Sequence, residues 1–421
     1  MGHRGYTGNS GYTRYTRYTG YTGYTGHIHI VGGGLAGLTA AITAAESGAR
    51  VTLHEGHRAL GGRARTAAGP YRTNEGPHAV YHRGPFGTWL ARRDLLGPVV
   101  SVPPREGLRF RFRRAGTLRK LPPAALLRLS RRDPRTAPVD DTFREWATGQ
   151  VGADGARAAA NFAATALFHH DPGALSARFV QERFHRLTSL PPEARYPVGG
   201  WARLVERMAA HARGLGVRVE TGARVGTRTL GELARTGPVV VATSLDSARA
   251  LLDDASLSWE SGRTVLVDLA VRTRRGDAFI VSDLDAPGWL ERFTAQDPAL
   301  APVGEQLLQG QFPIGPDARR AEGVARAESL LDLGFPGWRE RTTWRVEALA
   351  DGRTGAVDRP GTTWRDRPSV IRGDDVFLAG DQVAAPGLLS EVSFTSGLEA
   401  AMLAVKAVGR RSSSGVDLNR T

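Results

Sequence analysis

The chain has 421 residues and no cysteine, which excludes disulfides, zinc–thiolate sites and thiol nucleophiles. Its length exceeds the ~250–300 residues at which one hydrophobic core stops growing, so two domains or an interleaved pair are expected. Apolar residues make up 41%, which excludes global disorder, and the net charge of +14 is carried almost wholly by arginine, Lys120 and Lys406 being the only lysines. Such an excess attracts nucleic acid, anionic lipid or acidic substrates. Here the basic residues are mostly interspersed with acids, which fits a generally basic surface. No apolar run approaches the ~20 residues of a membrane span and no hydrophobic leader is visible, so a cytoplasmic protein is expected.

Residues 1–26 repeat Tyr every three positions from Tyr12 to Tyr24, among Gly, Thr and Arg. No helix or strand period fits, so a disordered tail is expected, and the folded part is expected to start at His27. Tyr and Arg interleaved in this way could stack on single-stranded nucleic acid, but no nucleic-acid motif accompanies them and no such partner is expected.

At His27 the pattern changes. His27-Ile28-His29-Ile30-Val31 alternates and is β-branched, as a strand requires. Gly32-Gly33-Gly34-Leu35-Ala36-Gly37 is a turn, followed by an Ala- and Leu-rich helix closed by Gly48. Residues 50–55 form a second strand ending on Glu55. This β-α-β unit fits G-x-G-x-x-G. Gly32 permits the tight turn, Gly34 lets a pyrophosphate approach the backbone, and Gly37 lets helix and strand pack closely. The helix start at Leu35 and Ala36 turns N–H groups and a positive dipole end toward phosphates. Glu55 is placed to accept hydrogen bonds from an adenosine ribose.

Next come Leu60-Gly61-Gly62-Arg63-Ala64-Arg65-Thr66 and Asn74-Glu75-Gly76-Pro77-His78. Residues 86–195 are rich in Arg and Pro and read as a mostly helical insertion. A helix is expected over 200–214, strands over 217–220 and 238–243, and a strand over 264–271 that opens a second insertion ending near Pro368. Residues 375–381 read as a strand and turn, 396–408 as a closing helix, and 409–421 as a polar tail.

A strand, G-x-G-x-x-G, an acid and then G-G-R-x-x-T together resemble the flavoprotein superfamily of amine oxidases, protoporphyrinogen oxidases and phytoene desaturases. Asp171-Pro172 with Leu175-Ser176, Pro197-Val198-Gly199-Gly200, and Phe377-Leu378-Ala379-Gly380-Asp381 with the helix after it are similar to later segments of those enzymes. The resemblance runs from about residue 27 to 408. It implies an α/β fold: a Rossmann-like FAD-binding domain of glutathione-reductase type, discontinuous over 27–84, 196–259 and 369–408. An inserted α+β substrate domain would occupy 85–195 and 260–368. Gly32, Gly34, Leu35, Ala36 and Gly37 would hold the FAD pyrophosphate and Glu55 the ribose. Gly62 and Arg63 would lie by the phosphates and flavin, Val225 by the adenine, Gly380 and Asp381 by the ribityl part, and Val392 and Ser393 under the pyrimidine end of the ring.

The implied activity is dehydrogenation of a mostly apolar small metabolite by hydride transfer to flavin N5, with dioxygen or another acceptor restoring the cofactor. Amine oxidation or FAD-dependent isomerisation are the rivals. Against the first, residues 262–267 lack the lysine that amine oxidases carry, and Ala384-Ala385-Pro386-Gly387 stands where an aromatic pair would. His78 and Glu391 are the candidate catalytic side chains, with a hydrogen-bonded structural histidine and an exposed loop acid as the plainer readings. His169 and His170 are adjacent and lack an i+4 partner, so no metal site is expected. Residues 105–135 hold a run of cations around Pro122-Pro123-Ala124-Ala125-Leu126-Leu127, either a solvated basic face or a peripheral membrane contact.

Overall fold

The computed structural model describes residues 26–76, 78–373 and 375–416. Most of the Tyr-rich repeat, residues 1–25, lies outside them, as do Pro77 and residues 417–421.

Five parallel strands form the first sheet, in the order Val376–Leu378, Val239–Val241, His27–Val31, Arg50–Glu55 and Arg218–Thr221. The chain reaches it in three passes. Ile28, Ile30, Leu53 and Val239 to Val241 are completely buried, because helices cover both faces and leave no wet side. Helix Leu35–Glu46 packs against the long helix Ser390–Val416 at very close range: a Cβ at Gly397 would come within 2.5 Å of the Ala36 carbonyl oxygen.

That last helix departs from expectation at both ends. It starts at Ser390 rather than 396, because Pro386 and Gly387 end the preceding loop early and Glu391 suits the positive end of a helix. It continues through 409–416, read as part of a tail, and Arg410 and Arg411 reach Asp375 at 3.1 and 2.7 Å. It also corrects the reading that no segment could span a bilayer. Ser390–Arg411 is long and apolar enough by composition, but its apolar side, with Ala400, Ala401, Ala404 and Ala407, is spent on the core.

Seven strands form the second sheet, in the order Thr342–Ala356, Ser261–Arg272, Glu305–Pro313, Gly288–Arg292, Ile280–Asp283, Arg111–Arg114 and Thr117–Arg119. The last two correct the helical reading of that stretch. Arg111–Arg114 and Thr117–Arg119 make a hairpin turning at Ala115 and Gly116, both at positive φ, and the Asp285 carboxylate accepts from both turn N–H groups. Alternation gives this sheet two unlike faces. Val265, Val267, Leu269 and Val271 pack on Leu330, Leu331 and Phe335 around helix Arg320–Gly334, while Leu266, Asp268 and Ala270 point the other way. The helices Phe143–Val151, Ala153–Leu167 and Ala177–Leu187 form a third core around Phe143, Phe179 and Phe184.

Candidate cofactor and substrate site

The three motif glycines are glycine for different reasons. Gly32 has φ +108°, and a Cβ there would sit 2.4 Å from the Ala242 carbonyl oxygen. A Cβ on Gly37 would sit 1.8 Å from the carbonyl oxygen of Gly32. Gly34 has neither constraint: its φ is −76°, and the nearest atoms to a Cβ are 4.0 Å away, on Gly61 and Gly62. The protein itself gives no reason for glycine there. A pyrophosphate lying against the backbone does. No side chain caps the helix that starts at Leu35, so its first N–H groups, including those of Ala36 and Gly37, are presented to that same space.

Glu55 stands beside this loop. Its carboxylate accepts from the Gly33 N–H at 2.7 Å and the His57 N–H at 2.8 Å, which fixes it at the mouth of the glycine turn. Ala223 N–H donates to the Glu55 carbonyl at 2.9 Å, which brings Val225 to the same end of the sheet. Gly61 N–H donates to the Gly33 carbonyl at 2.8 Å, so Gly61 and Gly62 form the opposite wall. Arg63 reaches across to Asp381, with two contacts of 2.6 Å, and donates to the Arg353 carbonyl at 2.8 Å. Gly380 is tied to the last helix by the Ser396 hydroxyl at 3.0 Å.

The rest of the G-G-R-x-x-T segment has a role that spacing could not reveal. Thr66 Oγ1 accepts from Ala202 N–H at 3.0 Å and donates to Asn74 Oδ1 at 2.8 Å, and Asn74 Oδ1 accepts from Trp201 N–H at 3.2 Å. Two residues far away in sequence thus cap helix Trp201–Gly214 and lock the cofactor wall onto it.

At the far end, a small enclosed cavity is lined by Leu167, Arg183, Gly355, Asp381, Leu389 and Val392. Val392 and Ser393 lie in the first turn of the last helix, which directs its positive end here. Leu389 holds φ +52°, a strained value for leucine, at the entry to that helix. Arg183 is almost fully buried, its guanidinium 3.4 Å from the Phe179 ring centroid, and desolvation depresses its pKa to about 10.

Glu391 corrects its plainer reading as an exposed loop acid. It is 2% exposed, and Arg186 clasps both carboxylate oxygens at 2.9 and 3.0 Å. Leu388 N–H donates to it as well, at 3.1 Å. With both oxygens engaged it holds the loop before the last helix. The His78 ring stacks on Phe293 at 4.7 Å, and burial depresses its pKa to about 4 despite the nearby Gln309 side chain. It is neutral at pH 7, and its Nε2 is buried without a partner. The His169 ring faces Glu260 at 3.3 Å, and no group of three or more potential metal ligands converges among the described residues.

Sequence reasoning missed the groups that the second sheet brings to this space. Asp268, Gln309 and Glu291 are direct cross-strand neighbours on the inner face. Tyr196 lies against Glu291, and burial raises the pKa of both. Isolated polar residues in apolar strands carry no signal of their own until the register aligns them.

A family model described as an NAD(P)-binding Rossmann-like domain matches residues 30–91. A carotenoid phi-ring synthase from Streptomyces griseus is 26% identical over 459 aligned positions, covering 89% of this chain and 86% of that protein. Among solved structures, an oxidoreductase from Methanosarcina mazei has a TM-score of 0.69 at 16% identity, covering 89% of this chain and 99% of that one. Cyclohexylamine oxidase from Brevibacterium oxydans has a TM-score of 0.65 at 16% identity, covering 92% and 100%. The expected fold, a Rossmann-like dinucleotide-binding domain joined to a second sheet, is borne out.

Proposed function

We propose that the chain is an FAD-dependent oxidoreductase that desaturates a mostly apolar small metabolite. The observation that carries the reading is Gly34. It is a glycine with no clash to avoid, facing an uncapped helix start, with Glu55 on one side and Gly61 and Gly62 on the other. Bound FAD supplies a hydride acceptor at flavin N5. The chain's own residues do the rest. Gly32, Gly34, Leu35, Ala36 and Gly37 offer backbone to the pyrophosphate, and Glu55 and Val225 hold the adenosine end. Gly62, Arg63, Gly380 and Asp381 line the middle. Val392 and Ser393, at the positive end of the last helix, would favour negative charge on a cofactor ring held there.

Apolar character in the substrate space supports the class of substrate. Phe293, Trp289, Tyr196 and the neutral His78 ring form one aromatic group. The similarity to a protein named for carotenoid chemistry supports it too. A lipophilic substrate would be drawn from a membrane surface, and residues 105–135 suit that contact. Leu108 and Leu121 are each 79% exposed and Leu127 49%, among Arg105, Arg111, Arg119, Lys120 and Arg128. Dioxygen or another acceptor would restore the oxidised cofactor.

Amine oxidation is the second reading, favoured by the shared fold with cyclohexylamine oxidase. Against it, strand Ser261–Arg272 carries no lysine and presents Asp268 to the inner face. The experiment is to load the protein with FAD, remove oxygen and add β-carotene in detergent micelles or a panel of amines. Pigment that loses two hydrogens supports desaturation, and flavin bleached by amines alone overturns it.

A further inference from the structure

Desaturation removes two hydrogens, one with its electron pair and one as a proton, and the proton needs an acceptor. His78 and Glu391 are poor ones. The first is desolvated and hard to protonate, and both oxygens of the second are held by Arg186. We propose that Asp268, positioned by Gln309 on the inner face of the seven-stranded sheet, is the catalytic base that takes this proton. The inference rests on the desaturase reading above.

Three observations carry it. First, register: Asp268 pairs with Gln309, and Gln309 with Glu291, so the three side chains lie in one row across adjacent strands, about 5 Å from each to the next. The flanking residues Leu266 and Ala270 are apolar, which makes the row a polar strip on an apolar face. Second, surroundings: Asp268 is enclosed by protein on nearly every side yet keeps some solvent exposure. Third, anchoring: Gln309 Oε1 accepts from Asn74 N–H and Gln309 Nε2 donates to the Asn74 carbonyl, both at 3.3 Å. Asn74 in turn belongs to the segment that walls the cofactor cradle. The position of Asp268 is therefore tied to that of the cofactor through two side chains.

The surroundings tune the carboxylate. Gln309 and Gln311 face it from one neighbouring strand and Val346 from the other, Glu291 stands one strand further, and His78 and Asn74 reach Gln309 from the loop. None of these brings a positive charge. Burial raises its pKa to about 7, with the Gln309 hydrogen bond opposing the rise. A base poised near working pH both holds an ionised fraction and binds the proton well once it has it. Glu291, raised to about 8 and held by Gln296 and Tyr196, stays protonated and keeps a second negative charge out of the cleft.

In the step, the substrate carbon beside the one that loses hydride gives its proton to the Asp268 carboxylate. The electrons of that C–H bond become the new C=C bond. The hydride and its electron pair pass to the oxidised flavin, which dioxygen or another acceptor restores. The test is a single anaerobic turnover of the FAD-loaded protein with β-carotene in micelles, followed across pH. The wild-type rate is expected to rise with pH through one ionisation near neutrality. Asp268→Asn, which retains FAD as judged by its visible spectrum, loses that rise and ~10²–10⁴ in rate. Asp268→Glu recovers part of both. An infrared titration without substrate gives an independent readout: of the protonated-carboxyl absorption, the component that fades near pH 7 in wild type is missing in Asp268→Asn, while the Glu291 component that fades near pH 8 stays in both. Unchanged rates and pH profile in Asp268→Asn, or persistence of the component that fades near pH 7, overturns the assignment of Asp268. A wild type that leaves β-carotene untouched while amines bleach its flavin overturns the desaturase reading instead, and the base assignment with it.

Discussion

The two sheets divide the work of the site. The five-stranded sheet is covered on both faces, and its site consists of backbone at strand ends: the glycine turn, the Gly61-Gly62 wall and the start of a helix. The seven-stranded sheet is apolar on the face toward helix Arg320–Gly334 and carries a carboxylate, an amide and a second carboxylate in mid-strand on the other. Under the proposed function, the first would hold a ligand with groups every residue possesses, which constrains where side chains must be absent. The second would work on a substrate with side chains that few positions supply.

Alanine at two glycines separates the two kinds of constraint most sharply. Gly37→Ala puts a methyl group 1.8 Å from the Gly32 carbonyl oxygen and is expected to abolish soluble, folded protein. Gly34→Ala meets no protein atom closer than 4.0 Å, so the chain should fold with a near wild-type melting temperature and lose its flavin. Circular dichroism and the visible spectrum read the two outcomes. Equal unfolding of both variants would put the Gly34 constraint inside the protein rather than in a ligand.

A smaller effect is expected within the second region, where the helical insertion is fastened to the stretch that leaves the seven-stranded sheet. Arg367 and Asp358 form an ion pair at 2.7 Å, both 4% exposed or less, and the Asp358 carbonyl accepts from Ser176 of the helical insertion. Arg367→Leu leaves a buried charge without its partner and should cost about 3–5 kcal/mol in denaturant unfolding. A cost below about 1 kcal/mol would mean water reaches Asp358.

The polar strip also sets how stability varies with pH. Burial raises the pKa of Asp268 to about 7 and of Glu291 to about 8, against ordinary carboxylate values of 3.8 and 4.5. Folding therefore favours their protonated forms. Their contribution is intact below about pH 4 and is lost as pH rises through about 7 and 8. His29 and His78, lowered to about 4 from 6.5, act in the opposite sense and cost stability as pH falls through that interval. Asp268→Asn with Glu291→Gln should flatten the decline in melting temperature between about pH 4 and 8 and leave the loss below about pH 4 unchanged. Persistence of the decline would assign it to other groups.

The smallest effect on folding belongs to the exposed leucines. Leu108→Ser and Leu121→Ser should change stability by less than about 0.5 kcal/mol. Cosedimentation with anionic vesicles should nonetheless fall severalfold. Undiminished cosedimentation would leave the basic region as a solvated face.

Legibility in the sequence follows the same division. Residues 27–55 could be read because a backbone site leaves glycines at fixed spacing, and the strands beside it alternate with β-branched residues. The hairpin Arg111–Arg114 with Thr117–Arg119 was hidden because its arginines pair with acids that lie far away in sequence, such as Asp283. The end of the last helix was hidden by a polar composition whose arginines find Asp375 only in the fold. Asp268, Gln309 and Glu291 stand at unrelated spacings and form a row only through strand register. Thr66 and Asn74 stand in recognisable motif segments, but their capping of helix Trp201–Gly214 depends on a contact across more than a hundred residues.

The most direct test of the central claim is one anaerobic turnover of the FAD-loaded protein with β-carotene, the extracted pigment being weighed by mass spectrometry against the bound flavin. The account predicts pigment short of two hydrogens, in an amount no greater than the flavin, and no bleaching by amines. Unchanged pigment beside amine-bleached flavin, or a protein that takes up no FAD at all, would contradict it.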